Sequence, residues 1–156
     1  MTPMTTNPNA AGSYDFTALG DESGELERLQ LQAQRSAQLE LQLLERMGLA
    51  DGQAVLDLAC GSGVLIELCR SVYGDQVALS GVDMSRHELA LAATRLKHAG
   101  VVLHEGFAQS LTFAGDACFD AVLCHWALTL MDPLEPVLAE VNRVLRPGGT
   151  FAAIVD

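Results

Sequence analysis

The chain has 156 residues, about half of them hydrophobic, with a formal net charge of −11 at pH 7, which is enough for one globular domain with a sizeable core. Only nine Lys and Arg residues are present, and nucleic-acid binding depends on clustered basic side chains, so a small-molecule partner is expected and nucleic acid is not. No apolar run approaches the ~20 residues of a membrane span, and no signal peptide opens the chain, so a membrane partner is not expected either.

The first 50 residues divide into a tail and a helical segment. Residues 1–13, rich in Thr, Asn, Pro and Ala, cannot bury enough apolar surface to offset their ordering entropy, so a flexible tail is expected. Residues 14–50 form the helical segment, because strong helix formers run from Asp21 to Met47. Its apolar residues recur at helical spacing, at Leu26, Leu29, Ala33, Ala37, Leu44 and Met47. One long helix, or two broken near Ser36, should end at Gly48.

A buried strand ending in a glycine-bearing turn follows. Val55, Leu56 and Leu58 give the apolar run of a strand covered on both faces. Gly61 and Gly63 can take positive φ and expose backbone N–H groups at the start of the next helix, Val64–Tyr73. The third glycine of a dinucleotide fingerprint and the lysine of a phosphate-binding loop are both absent. The strand instead carries an acid, Asp57, which favours a cationic ligand over an anionic pyrophosphate.

The second strand, Val77–Val82, leads into another acid, Asp83. An acid at this point of a βαβ unit is placed to accept both hydroxyls of a ribose, and the neighbouring Met84 could lie on the base. The alternative role for Asp83 is to cap the next helix. Ser85 and Glu88 already form a capping box for that helix, so we expect the Asp83 carboxylate to be available to a ligand.

Helical and extended patterns alternate through the rest of the chain. Asp132 is expected to be an N-cap, with Pro133 as the first helical residue. The remaining predicted elements are a helix Arg86–His98, a strand Val101–His104, a strand Phe119–Cys124, a helix from Asp132 to Leu145 and a strand Thr150–Val155. This alternation predicts an α/β fold over residues 51–156, a doubly wound sheet with right-handed crossovers.

Three motifs resemble those of the class I S-adenosylmethionine-dependent methyltransferases. Asp57–Gly63 resembles the family's D/E-x-G-x-G-x-G turn with Ala59 in place of the first glycine, Phe119–Val122 its F-D-x-V strand, and Leu145–Gly149 its L-x-P-G-G turn. The resemblance covers about residues 54–155. It implies a mostly parallel, Rossmann-like sheet of strand order 3-2-1-4-5, S-adenosylmethionine as cofactor and a small-molecule methyl acceptor.

The resemblance also implies a cofactor site at the carboxyl ends of the strands. The family's acceptor for the adenine amino group is an acid in a D-A-x-x-L loop, and Phe107 occupies that position here. Backbone groups of Phe107 and Ala108 could still contact the base edge, with the ring packed on the base. The expected contacts are Asp57, Ala59, Cys60, Gly61, Gly63, Asp83, Met84, Phe107, Ala108 and Cys124, with no metal site.

No catalytic residue is assigned. In-line displacement at a sulfonium carbon can be accelerated largely by positioning and a dry site, which is why the family lacks one fixed catalytic group. His125 is a candidate general base, but lining the pocket or bonding a backbone group is the expected role. The alternative function is a non-catalytic cofactor-binding or assembly module, which Phe107 and the early end of the sheet favour. A hydride-transferring oxidoreductase ranks third, because the third glycine is absent.

Both ends of the chain leave alternatives open. The N-terminal helix packs on a sheet face or, as in many methyltransferases, forms a lid with Tyr14 and Phe16. Family members continue past the fifth strand with a helix and an antiparallel hairpin, whereas this sequence stops at Asp156, so it is a fragment or its edge is covered by a partner subunit or by the N-terminal segment. An uncovered edge would favour a homo-oligomer.

The cysteines, Cys60, Cys69, Cys118 and Cys124, lack C-x-x-C spacing and indicate free thiols in a reducing cytoplasm.

Overall fold

The computed structural model describes residues 22–155, with side chains at residue 31 and from residue 35 onward. The expected tail, residues 1–13, and the proposed lid residues Tyr14 and Phe16 lie outside this range. The chain divides into two compact units, with the boundary between Ser36 and Ala37. The described part of the first unit is helical, and the second unit, which begins at Ala37, carries the sheet and the candidate site.

Five parallel strands form the sheet. Their order is β3-β2-β1-β4-β5, which confirms the predicted order 3-2-1-4-5. The strands are β1 Ala54–Leu58, β2 Ala78–Asp83, β3 Val102–Glu105, β4 Phe119–His125 and β5 Leu145–Ile154. A parallel sheet needs cover on both faces, and this explains why its strands are rich in Val, Leu and Ala instead of alternating with polar residues.

Between residues 22 and 155, four α-helices accompany the strands: α1 Glu22–Met47, α2 Val64–Tyr73, α3 Arg86–Arg95 and α4 Glu135–Val144. α1 is one unbroken helix, and Gly48 follows it at φ +56°, as expected for a glycine stop. α2 has the predicted bounds. No helix within the described part of the chain is both long and apolar enough to cross a bilayer.

Two helix boundaries differ from the predictions. α3 ends at Arg95, short of the predicted His98, because the buried Leu96 leaves the helical conformation at φ −99°, ψ 10°. α4 begins at Glu135, so the expectation that Asp132 and Pro133 open it is wrong. Pro136 lies in its first turn instead, where a missing N–H costs no hydrogen bond.

The predicted turn before the fifth strand is an irregularity inside β5. Leu145 pairs with Phe119 and Thr150 pairs with Ala121, so four residues of β5 bulge out between two pairs. A Cβ at Gly149 would lie 2.8 Å from the Arg146 carbonyl oxygen, which is closer than side chains tolerate. The bulge therefore requires glycine at this position. Because β5 continues through the bulge, residues 145–149 belong to the strand, whereas the sequence pattern predicted a separate turn there.

The core consists of two clusters, one on each face of the sheet. Alternate residues of β1 divide between them, with Val55 in the first and Leu56 and Leu58 in the second. α1, α2 and α3 contribute to the first cluster through Leu44, Leu65, Ile66, Cys69 and Ala92. α4 covers the second through Val137, Val141 and Val144. In residues 37–47, the packing role predicted for α1 is thus confirmed.

Candidate functional site

The candidate site lies where β1 and β4 run side by side at the centre of the sheet. The strand order reverses between these two strands, and open α/β sheets bind ligands in the crevice at such a switch point. Asp57 of β1 pairs in register with Leu123, so His125 at the end of β4 reaches the same edge as the turn after β1. Asp83 at the end of β2 reaches that edge on the other side of β1.

The turn after β1 contains three residues in the left-handed region. Ala59 has φ +59°, Gly61 +50° and Gly63 +80°. A Cβ at Gly63 would lie 2.7 Å from the Leu96 side chain, so this glycine allows α2 to approach α3 closely. At Gly61 the nearest atom would be a Glu88 oxygen at 3.8 Å, and the space above it is open. Gly63 therefore serves packing, whereas Gly61 leaves room beside the crevice.

The N–H groups of Cys60, Gly61 and Gly63 are bonded within the chain, so the expectation of exposed N–H groups is wrong for these three residues. Gly61 donates to Oδ2 of Asp83 at 2.8 Å, and Gly63 donates to the Cys60 carbonyl at 2.9 Å. Cys60 itself donates to the Val82 carbonyl at 3.0 Å. The Asp83 carboxylate therefore accepts the N–H of Gly61, two residues before the N-cap of α2, and a carboxylate at this position favours a cationic ligand.

Asp57 is the most unusual side chain of the site. It is 3% exposed, and neither of its carboxylate oxygens has a hydrogen-bond partner among residues 22–155. Burial raises its pKa well above the usual range, and the nearby Glu40 and Asp83 carboxylates raise it further. An unpaired buried carboxyl is costly, and a cation or hydrogen-bond donor from a ligand would relieve that cost.

Asp83 organises the turn and the next helix. Its Oδ2 accepts from Gly61, and its Oδ1 accepts from the N–H of Ser85, each at 2.8 Å. The Ser85 side chain accepts from the N–H of Glu88 as predicted, but the expectation that Asp83 takes no part in capping is wrong. A carboxylate has about four lone-pair sites, so two remain for a ligand.

Two apolar side chains are exposed beside Asp83. Met84, after β2, is 55% exposed, and Phe107, after β3, is 59% exposed. The two strands end together, since Asp83 pairs in register with Glu105. Ala108 is half-buried beside Phe107. Such side chains suit the faces of a planar base, which is the role predicted for Met84 and Phe107.

His125 is bonded to a carboxylate on α1. Its Nδ1 lies 3.2 Å from Oε1 of Glu40, a residue that is 2% exposed. Burial lowers the pKa of His125, and the Glu40 carboxylate opposes that shift. Glu40 was not predicted as a site residue, although the sequence carries a signal for it. Glu40 falls between Ala37 and Leu44 on the apolar face of α1, where helical spacing calls for an apolar residue.

The cysteines of the site are protonated thiols. Burial, reinforced by Asp57, raises the pKa of Cys124 to about 12 and also raises that of Cys60. Cys124 packs in the core cluster beneath α4, and its contact with a ligand stays a prediction. Within the range that the structure describes, no group of three or more His, Cys, Asp and Glu side chains could hold a metal ion.

Comparisons with known proteins identify the fold and its relatives. The family described as "Methyltransferase domain" matches residues 56–153. A 2-phytyl-1,4-naphtoquinone methyltransferase of Synechococcus elongatus is 37% identical over 109 residues, which are 67% of this chain and 46% of that protein. The structure of Haemonchus contortus phosphoethanolamine N-methyltransferase 2 with S-adenosyl-L-methionine is 27% identical at a TM-score of 0.67, covering 73% of this chain and 27% of that one.

A further structural neighbour is named as a cyclase and not as a methyltransferase. The [4+2]-cyclase SpnF is 28% identical at a TM-score of 0.68, and the match covers 75% of this chain and 43% of that one. The chain spans about half the length, or less, of the curated relatives it matches.

Proposed function

The chain belongs to the methyltransferase domain family, and on that premise we propose that it transfers the methyl group of S-adenosylmethionine to a small-molecule acceptor. The observation that carries the proposal is the buried Asp57 carboxyl, which has no partner among the described residues. S-adenosylmethionine brings an ammonium group and a sulfonium, and either would relieve the cost of that carboxylate. The acidic Asp57 side chain therefore fits this cationic cofactor and does not fit an anionic pyrophosphate.

Each part of the cofactor has a matching residue on this chain. Asp57 would face the cationic end, the two unused lone-pair sites of Asp83 would accept the ribose hydroxyls, and Met84 and Phe107 would flank the base. The bound cofactor supplies an electrophilic methyl carbon. The chain binds that cofactor, orients it at the carboxyl edge of the sheet and excludes water from the reacting atoms.

The acceptor class follows from charge and from the relatives. A net charge of −11 disfavours anionic acceptors, so a small neutral acceptor fits best. The Synechococcus relative is named for a naphthoquinone, which favours a quinone in its reduced form as the acceptor. Four free cysteines support a cytoplasmic location as part of this proposal.

A second candidate function is a module that binds the cofactor without methyl transfer. Its support is the likeness to a protein named as a cyclase and the presence of Phe107 at the position where the family carries an acid.

Mass spectrometry of the product distinguishes the two functions. The chain is incubated with S-adenosylmethionine and reduced naphthoquinone, and both methylated acceptor and S-adenosylhomocysteine are measured. Wild type and an Asp51→Asn control, which changes an exposed turn, should give product. Asp83→Ala should need at least about tenfold more cofactor for half-maximal rate, because charge-assisted hydrogen bonds are lost. Cofactor binding without product from a panel of small acceptors would favour the module.

A further inference from the structure

A buried acid faces a histidine at the edge of the sheet where the cofactor is proposed to bind. Glu40 is 2% exposed and lies on the apolar side of α1, next to the fully buried Leu44. Its Oε1 is 3.2 Å from Nδ1 of His125. Removing a carboxylate from water costs several kcal/mol. An apolar residue would satisfy the packing of this face at a lower cost, so the acid indicates a role beyond packing.

The backbone beside His125 is also constrained. Trp126 has φ +57°, which is rare for a bulky residue, and its N–H donates to the Ile154 carbonyl at 2.8 Å. Strained residues of this kind persist where the surroundings fix them, and they concentrate at functional sites. The bond to β5 and the bond to Glu40 therefore hold the imidazole at the end of β4 from two directions.

The pairing decides which ring nitrogen can act as a base. A carboxylate only accepts hydrogen bonds, so Nδ1 of His125 donates and the free lone pair lies on Nε2. The His125 side chain is 23% exposed, whereas that of Glu40 is 3% exposed. A small molecule can therefore reach part of the ring, while the carboxylate behind it stays dry.

We propose that Glu40 positions His125 so that Nε2 accepts the proton that a hydroxyl-type methyl acceptor loses as it is methylated. The inference rests on the proposed function. As the hydroxyl loses its proton, an electron pair of the acceptor, on that oxygen or on a ring carbon conjugated with it, forms the new bond to the methyl carbon, and the carbon–sulfur bond breaks with its electrons left on sulfur. The proton of the hydroxyl moves to Nε2. The positive charge of the sulfonium thus ends on the imidazolium, beside the Glu40 carboxylate, which stabilises it.

Glu40 of this pair belongs to a group of three acids. Glu40 comes from α1, Asp57 from β1 and Asp83 from β2, and the carboxylates of Glu40 and Asp83 both act on Asp57. The thiols of Cys60 and Cys124 lie near Asp57 and stay protonated. Burial lowers the pKa of His125, so the ring is neutral near pH 7 and able to take a proton. Glu40 is therefore the group whose removal should change that pKa most directly.

The test compares Glu40→Gln with Glu45→Gln. The first keeps the shape and a hydrogen-bond acceptor while removing the charge, and the second removes the same charge from an exposed position of the same helix. The His125 resonance, assigned with His125→Gln, is followed by NMR against pH with S-adenosylhomocysteine bound. Glu40→Gln should lower the pKa of His125 by about one unit or more, and Glu45→Gln should leave it unchanged.

The rate of methyl transfer to reduced naphthoquinone supplies the second measurement. In Glu40→Gln the acid limb of the kcat profile should move to lower pH by the same amount as the NMR value, with S-adenosylhomocysteine affinity unchanged. If the pKa of His125 does not shift in Glu40→Gln, the proposal is overturned. It is also overturned if that pKa shifts but the acid limb of the kcat profile stays where it is in wild type. A tenfold loss of S-adenosylhomocysteine affinity in Glu40→Gln also overturns it, because Glu40 would then serve the cofactor. Failure of wild type to bind S-adenosylmethionine would contradict the proposed function instead.

Discussion

At the scale of single residues, the site is built from groups that would be unfavourable elsewhere. Asp57 is a buried carboxyl without a partner among residues 22–155, and Ala59 and Trp126 have left-handed backbone conformations. The sequence pattern placed Asp57, Asp83 and the glycines at one edge of the sheet, and their contacts with a cofactor stay predictions. It did not predict the bond between His125 and Glu40, since the two residues are 85 positions apart and helical spacing reports only local order.

Ala59→Gly should stabilise the protein. Ala59 has φ +59°, where a Cβ destabilises the folded state by roughly 1–2 kcal/mol. Glycine removes this strain, but its more flexible unfolded chain cancels part of the gain in stability. We expect the free energy of unfolding in urea to rise by about 0.5–1 kcal/mol. The matched control is Ala93→Gly on the exposed side of α3, which should lose about 1 kcal/mol. A loss of stability in Ala59→Gly would contradict the strain assigned to this position.

Gly61→Val should abolish cofactor binding and leave the chain folded. A branched residue is strained at the φ of +50° that Gly61 adopts, but the nearest atom to a Cβ there is 3.8 Å away, so this strain is the main cost to the fold, and the side chain fills the crevice. Gly52→Val is the control, because Gly52 has φ +81° and open space around its Cβ at the other end of β1. Calorimetric titration with S-adenosylmethionine should show binding in Gly52→Val alone. Normal binding by a folded Gly61→Val variant would mean that the turn has been misassigned.

At the scale of elements, prediction succeeded where one pattern dominated. The bounds of α2 followed from an apolar run punctuated by glycine, the strand order followed from the resemblance to class I methyltransferases, and both are confirmed. The start of α4 and the bulge in β5 were missed because tertiary bonds decide them. Arg146 pairs with Asp120, which also accepts from the N–H of Ala54, so the bulge is held by residues far away in sequence.

A second set of long-range bonds fixes the loop before β4 to α4, and it makes stability depend on pH. Glu140 accepts from Arg143 on the same helix and from the distant N–H of Leu111 at 2.6 Å, and these bonds lower its pKa from 4.5 to about 2. A lowered carboxyl pKa gives stability that is present above pH 4.5 and lost as the pH falls toward 2.

Glu140→Gln should therefore be less stable than wild type at neutral pH, with a difference that shrinks as the pH falls from 4.5 to about 2. Urea unfolding at a series of pH values measures this difference. Glu135→Gln, at an exposed position of the same helix, controls for removing one negative charge. A difference that stays constant through the window would show that the Glu140 carboxylate contributes nothing to stability.

At the scale of the whole molecule, the edge formed by β5 is the main open feature. Within residues 22–155, β5 pairs only with β4, and a cavity of about 360 Å³ lies between its end and α1. Leu39, Leu43 and Ile154 are among the residues that line this cavity. The predicted association through the fifth strand remains a prediction. The sequence pattern predicted the strand itself, but it contains no information on what pairs with the outer edge of that strand.

We expect this chain to form dimers or larger species through the β5 edge. Unpaired strand edges favour association, and the net charge of −11 opposes it only through a repulsion that is screened over ~8 Å at physiological salt. Light scattering should show association that increases with added salt as the repulsion weakens. A monodisperse monomer at high micromolar concentration and high salt would contradict this prediction.

The central claim is that Asp57 is kept buried to meet the cationic end of S-adenosylmethionine. The raised pKa of Asp57 means that ionising it costs stability as the pH rises above its unfolded value, so Asp57→Asn should melt higher than wild type at neutral pH without cofactor. Calorimetric titration of both proteins with S-adenosylmethionine at pH 7 is the most direct test. We predict saturable binding by wild type and affinity at least about tenfold weaker in Asp57→Asn. Equal affinity in the two proteins, or no binding by wild type at millimolar cofactor, would contradict the claim.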